Sequence, residues 1–294
     1  RKYSCSMQHT TVKLHDGLIR GSVEKGIRVF KGIPYAKAPV GDLRWKPPVK
    51  PEPWADTLDA TKYASSAWQL GTESKLFIGE IIDQSGFGFL KRTFAKCFMN
   101  LASVVQKRKQ SEDCLYLNIR APAENMGASS PVMVWIHGGD HQDGTGSGFP
   151  YETDSFCHEG VILVTINYRL GVFGYLCHPD LSLESENGTS GNYGTLDQIA
   201  ALQWIQENIR EFGGDPNQVT IFGESAGGES VAHMLTSPLA DGLFARAIIQ
   251  SGANSGQMHH QKESVLGHES GELRGGRFAD NFTSSPNQID ALRR

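Results

Sequence analysis

The chain has 294 residues, and 39% hydrophobic with 20% charged residues describes a folded polypeptide large enough for one sizeable α/β core. Lys plus Arg number 28 and Asp plus Glu 32, a net charge of −4, which argues against a general nucleic-acid or anionic-membrane binder. No apolar run approaches the ~18 residues of a membrane-spanning helix.

Residues 12–14, 18–23 and 27–33 are short alternating segments split by Asp16-Gly17 and Lys25-Gly26, which predicts an antiparallel meander. A proline-rich, extended surface strap follows and completes a unit over 10–50; its prolines forbid regular structure. Residues 73–110 mix apolar side chains with Lys91, Arg92, Lys96, Lys107, Arg108 and Lys109, and the spacing is helical over 90–105. This segment reads as a core-packed helix with a solvated basic face, as a lid over a pocket, or as a membrane-surface helix.

The core over 111–253 alternates apolar runs with helical periodicity. Strands are predicted over 114–119, 131–136, 161–167, 219–222 and 247–250, the last two as buried strands. Apolar Ile199, Leu202, Ile205 and Ile209 mark a helix over 196–212 that Gly213-Gly214 terminates. Such alternation describes a mostly parallel, doubly wound sheet with helices on both faces. From Ser251 the composition turns polar and Gly-rich, with helical stretches over 277–281 and 289–293, and 254–294 reads as the opening of a further C-terminal part.

The chemistry concentrates in Val219-Thr-Ile-Phe-Gly-Glu-Ser-Ala-Gly-Gly228. A buried strand, then G-x-S-x-G, then a helix over 229–235 is the setting of a nucleophile elbow around Ser225. Gly223 and Gly227 stand two residues either side of the serine, where side chains would collide with neighbouring backbone. A serine hydroxyl needs a base, an acid to orient that base, and N–H donors for an oxyanion. The turn His137-Gly138-Gly139-Asp140 follows a strand two strands earlier, where the second half of such a donor set belongs.

Several ordered pieces carry a family resemblance. They are Phe30-Lys-Gly-Ile-Pro-Tyr-Ala36, Glu112-Asp-Cys-Leu-Tyr-Leu-Asn118, Trp135-Ile-His-Gly-Gly139, Asn167-Tyr-Arg-Leu-Gly171, Gly191-Asn-Tyr-Gly-Thr-Leu-Asp-Gln198, Phe212-Gly-Gly-Asp-Pro216 and the elbow. Together they resemble the N-terminal part of the type-B carboxylesterases, the cholinesterase-like α/β hydrolases. The resemblance implies an α/β-hydrolase fold, hydrolysis of a small carboxylic ester through an acyl-Ser225 intermediate, and no metal or organic cofactor. It implies an oxyanion hole from the N–H groups of Gly139, Asp140 and Ala226, with Gly138, Gly223, Glu224 and Gly227 in support. It also pairs Arg44 with Glu112. The competing reading is a catalytically silent binding or adhesion module of the same fold. An NTPase is excluded, because no Gly-rich loop ends in Gly-Lys-Ser or Gly-Lys-Thr.

Three departures stand out. The triad acid and histidine, expected after later strands, are not recognisable; His233 lies on the elbow helix, and His259, His260 and His268 lie in a polar stretch. They are expected beyond the chain end, so the 294 residues alone are expected to turn over little substrate. A glycine of the family is Asp140 here, and His141 replaces an aromatic residue. A carboxylate ~4 Å from a developing oxyanion costs about 4 kcal/mol at an effective dielectric of ~20. Asp140 is therefore expected to point away, to be neutralised by His137 or His141, or to orient a water at the acyl-enzyme or at a phosphorylated serine. The spacing of His137, Asp140, His141 and Asp143 fits no familiar metal-ligand pattern. Finally, of Cys5, Cys97, Cys114, Cys157 and Cys177, none forms C-x-x-C. The cysteine that the family places before Cys114 is missing near Ala67, which leaves Cys114 either paired with Cys97 or free.

Overall fold

A computed structural model of the chain describes residues 8–70, 79–80, 82–84, 86, 88–89, 91–94, 109–123, 129–148, 153–252, 260–265 and 267–294. Among the described residues nine strands form one sheet: β1 (Gln8–Lys13), β2 (Leu18–Glu24), β3 (Ile27–Pro34), β4 (Leu58–Asp59), β5 (Tyr116–Pro122), β6 (Ser130–Ile136), β7 (Ile162–Ile166), β8 (Gly214–Glu224) and β9 (Arg246–Gln250). Their spatial order is β1-β2-β3-β5-β7-β6-β8-β9, with β4 beside β2.

The meander forms as expected and continues the sheet rather than standing apart. Lys25 and Gly26 both take positive φ, 52° and 78°, the signature of a two-residue hairpin turn between β2 and β3. β3 then pairs antiparallel with β5, and β5 antiparallel with β7. The strands β7, β6, β8 and β9 are mutually parallel. All five residues of β7 are buried, as the Ile-Leu-Val-Thr-Ile sequence of a central strand requires.

Seven α-helices are named among the described residues: α1 (Ser155–His158), α2 (Gly171–Tyr175), α3 (Pro179–Glu184), α4 (Tyr193–Asn208), α5 (Ala226–Thr236), α6 (Gly271–Asp280) and α7 (Gln288–Arg293). Helix α4 runs into a 3₁₀ turn that ends at Gly213 with φ 84°, the stop signal read from the sequence. One continuous core joins both halves of the sheet, from Ile19 and Phe30 through Val134 and Val164 to Leu202 and Phe212.

β9 departs from expectation. Its apolar residues predict a buried strand, yet Ile248 and Ile249 are 44% and 41% exposed, because among the described residues β9 is the sheet edge and pairs only with β8. The strap is irregular but not merely superficial. Trp45 is buried with Leu176, Leu181, Tyr193 and Ile289, and its indole N–H donates to Val172 O at 2.9 Å. Arg44 makes the anticipated pair with Glu112, bidentate at 2.6 and 2.7 Å, and also donates to Leu292 O. The region 271–293 is thereby tied to the strap, and Arg293 adds a bidentate pair with Glu184 at 2.7 and 2.8 Å.

Most of 73–110, including Cys97, lies outside the described residues; helical backbone is present at 82–84 and 91–94. Cys114, Cys157 and Cys177 are free thiols. Cys114 is fully buried, and burial pushes its pKa well above the ordinary range of a thiol.

Candidate active site

Parallel strands β6 and β8 lie side by side, with Ile136 opposite Gly223. β6 connects onward to β7 on one side, while β8 lies on its other side. The strand order therefore reverses at β6, and loops from neighbouring C-terminal strand ends meet there, the usual ligand position of an open α/β sheet. The β6 loop is His137-Gly138-Gly139-Asp140, and the β8 loop is the elbow.

Ser225 has φ 56° and ψ −126°, a conformation that a non-glycine residue rarely holds without surrounding constraint. The constraint is visible. Ser225 N–H donates to Gln250 O at the end of β9 (2.9 Å), and Ser225 O accepts from Glu229 N–H (2.9 Å) at the start of α5. The flanking glycines are required by space. A Cβ on Gly223 would lie 2.5 Å from the Gly227 carbonyl, and one on Gly227 would lie 2.1 Å from Ile136 O. Gly138 abuts the elbow just as closely: an added Cβ would sit 2.5 Å from Glu224 O and 3.3 Å from Ser225 Cβ. Ser225 is half-buried and Glu224 exposed.

The β6 loop is clamped from several sides. Gly139 has φ 104°, and its carbonyl accepts from the N–H groups of Gln142 and Asp143 at 2.9 and 3.0 Å. The Gln69 side chain exchanges two 2.8 Å bonds with the backbone of Gly144. Asn167 Oδ1 accepts from Gly146 N–H at 2.8 Å, and Asn118 Nδ2 donates to Gly146 O at 3.3 Å. The His137 ring stacks on Tyr168 at 4.4 Å, donates from Nδ1 to Gly138 O (2.8 Å), and accepts Tyr168 O–H at its own carbonyl (2.6 Å). Among the described residues no acceptor is bonded to the N–H groups of Gly139, Asp140 or Ala226. These are free donors on the two facing loops.

Neither nearby histidine forms an ion pair with Asp140 among the described residues. His137 is fully buried and its pKa is pushed down to about 4 by desolvation. His141 is lowered too, first by burial and then by His233. Asp140 is exposed and forms no ion pair among the described residues. No group of three or more possible metal ligands occurs among the described residues.

The histidines after Ser225 do not complete a triad among the described residues. His233 lies on α5 and its Nε2 is buried without a partner. His260 Nδ1 accepts from Lys262 and Glu263 N–H in a local turn, and His268 pairs with Val265. His259 lies outside the described residues. No motif marks Gln69; only its place in the loop contact reveals it. Asn118 and Asn167 stand inside quoted motifs, but their shared target, Gly146, is a property of the fold.

Comparison with known proteins decides the family. A family model described as the carboxylesterase family matches residues 8–276. The chain belongs to the carboxylesterase family. It is similar to a fumonisin B1 esterase of Sphingopyxis macrogoltabida, 44% identical over 235 residues that cover 80% of this chain and 38% of that protein. It is also similar to a para-nitrobenzyl esterase of Bacillus subtilis (strain 168), 43% identical over 276 residues, 91% of this chain and 50% of that protein. A solved PNB esterase structure superposes with a TM-score of 0.78 at 39% identity, covering 97% of this chain and 51% of the other. The α/β-hydrolase fold of the carboxylesterase family is therefore the fold of this chain. The chain spans about half or less of the length of the curated relatives it matches.

Proposed function

We propose that this chain carries the nucleophile and the oxyanion donors of a carboxylic ester hydrolase. Ser225 Oγ attacks the ester carbonyl, and the alcohol leaves as an acyl-serine forms. The N–H groups of Gly139, Asp140 and Ala226 receive the negative oxygen of each tetrahedral intermediate, and water then releases the acid. The observation that carries this reading is the left-handed Ser225 backbone, held by Gln250 against Gly138 of the facing loop. The helix N-terminus behind Ser225 adds a favourable field for the oxyanion.

The base and its orienting acid are assigned to polypeptide outside this chain. That assignment draws on two facts: no described histidine bonds Ser225, and the relatives are about twice as long. Glu224, exposed beside the nucleophile, contributes negative potential that favours an imidazolium near the site. No cofactor or metal enters the mechanism, and the substrate is a small carboxylic ester.

The absence of a bonded base among the described residues also favours the second reading, a silent binding module of the same fold. Hydrolysis of p-nitrophenyl butyrate by the full-length protein separates them. Turnover that falls at least ~10³-fold in Ser225→Ala supports the enzyme. No turnover in the full-length protein supports the module.

A further inference from the structure

The two loops that carry the proposed donors are tied together by one side chain. His141 directly follows Asp140, and its Nε2 lies 3.1 Å from Ser230 Oγ. Ser230 is on α5, one turn after Ala226, and is 1% exposed. Its hydroxyl donates to Ala226 O at 2.9 Å and accepts from Gln198 Nε2 at 3.0 Å. A hydroxyl has one hydrogen, and that hydrogen is committed to a carbonyl that can only accept. With that hydrogen on the Ala226 carbonyl, the 3.1 Å contact is made by His141 donating through Nε2–H. The ring is held by the Tyr175 ring at 5.0 Å and the Tyr168 ring at 6.4 Å, and the His141 carbonyl accepts from Gly171 N–H at 2.7 Å.

We propose that His141 is the positioning residue of the oxyanion cradle: as the neutral Nε2–H tautomer it locks the turn carrying Gly139 and Asp140 onto the first turn of α5 through Ser230. The inference deepens the reading of Gly139, Asp140 and Ala226 as donors and rests on it. A phenyl ring at 141 would fill the same space between the tyrosines yet have no proton to give. The titratable groups that face the ring are His233 from α5 and Asp140 from its own loop, and both act in addition to burial. Burial and His233 favour the neutral ring, Asp140 and the Ala226 backbone oppose them, and the net direction is downward, so the neutral ring is the form present at neutral pH.

The test is NMR on the ¹⁵N-labelled full-length protein. Imidazole spectra are expected to show His141 as the Nε2–H tautomer. The amide signals of Gly139, Asp140 and Ala226 are expected to shift in His141→Phe and in Ser230→Ala, and no further in the double variant. His141→Gln, which restores a donor, is expected to bring them back toward the wild type. Unmoved amides in a folded His141→Phe, additive shifts in the double variant, or an Nδ1–H tautomer would overturn the proposal. None of these readouts depends on turnover. A full-length protein that hydrolyses esters through Ser225 while its amides ignore residue 141 would remove this inference and leave the proposed function standing.

Discussion

Gly138 and Ser225 touch across two loops: a Cβ on Gly138 would stand 3.3 Å from the serine Cβ and 2.5 Å from Glu224 O. That contact exists because β6 and β8 run parallel as neighbours, with Ile136 opposite Gly223, so each loop begins at the same height above the sheet. The spacing of the proposed donors around the serine follows from backbone packing.

Gly138→Ala tests that packing. The added methyl meets backbone atoms, which cannot rotate away, so one loop must move. A displacement of about 1 Å at a reacting centre costs on the order of 10²-fold in rate. Ester turnover by the full-length variant is expected to fall by about that factor. A variant with wild-type turnover would show that the loop contact does not set the geometry.

Asp140→Gly tests the unusual residue of the donor turn. A buried carboxylate facing an oxyanion would slow acylation about a thousandfold, but Asp140 is exposed. In water-like dielectric the same charge at ~4 Å slows it only about fivefold. Acylation in Asp140→Gly is therefore expected to rise by no more than about tenfold. A rise of several hundredfold would place the carboxylate against the reacting oxygen, and unchanged rates would leave Asp140 without a catalytic role.

His137 gives the fold a pH dependence. Its folded pKa of about 4 lies below the ordinary 6.5, so the unfolded chain binds more protons between these values. The stability contributed by the neutral ring is complete above pH about 6.5 and is lost as pH falls toward about 4, by up to roughly 3 kcal/mol. Urea titrations across that window are expected to show the fall, and His137→Gln to flatten it. An unchanged slope in the variant would remove His137 as its source.

Arg169 and Asp197 form a buried bidentate pair, both bonds 2.7 Å, at 3% and 0% side-chain exposure. Removing one partner strands the other charge, so Arg169→Leu or Asp197→Leu is expected to cost about 3–5 kcal/mol in urea unfolding. Replacing both together is expected to cost clearly less than the sum. Additive losses would mean that the two residues act independently.

This pair also shows what a sequence can and cannot carry. Arg169 and Asp197 sit in two motifs that were legible separately, Asn167-Tyr-Arg-Leu-Gly171 and Gly191-Asn-Tyr-Gly-Thr-Leu-Asp-Gln198. Nothing in either string says that they meet. The elbow was readable because strand, turn and helix are local and the glycines are obligatory. The clamps on the β6 loop were not, because Gln69, Asn118 and Asn167 converge on it from 75, 28 and 21 positions away. β9 forms where its apolar run predicts, but its exposure differs for a related reason. An apolar run declares that a strand prefers cover, and Ile248 and Ile249 lie at an edge where no described strand supplies it. His141 was noticed as a departure, while its bond to Ser230, 89 positions on, required the fold.

The measurement closest to the central claim is covalent mapping of the full-length protein after treatment with a fluorophosphonate. Ser225 is expected to be the residue phosphonylated, with labelling abolished in Ser225→Ala and slowed in His141→Phe. Label on a different serine, or none on Ser225 in the folded protein, would contradict the account.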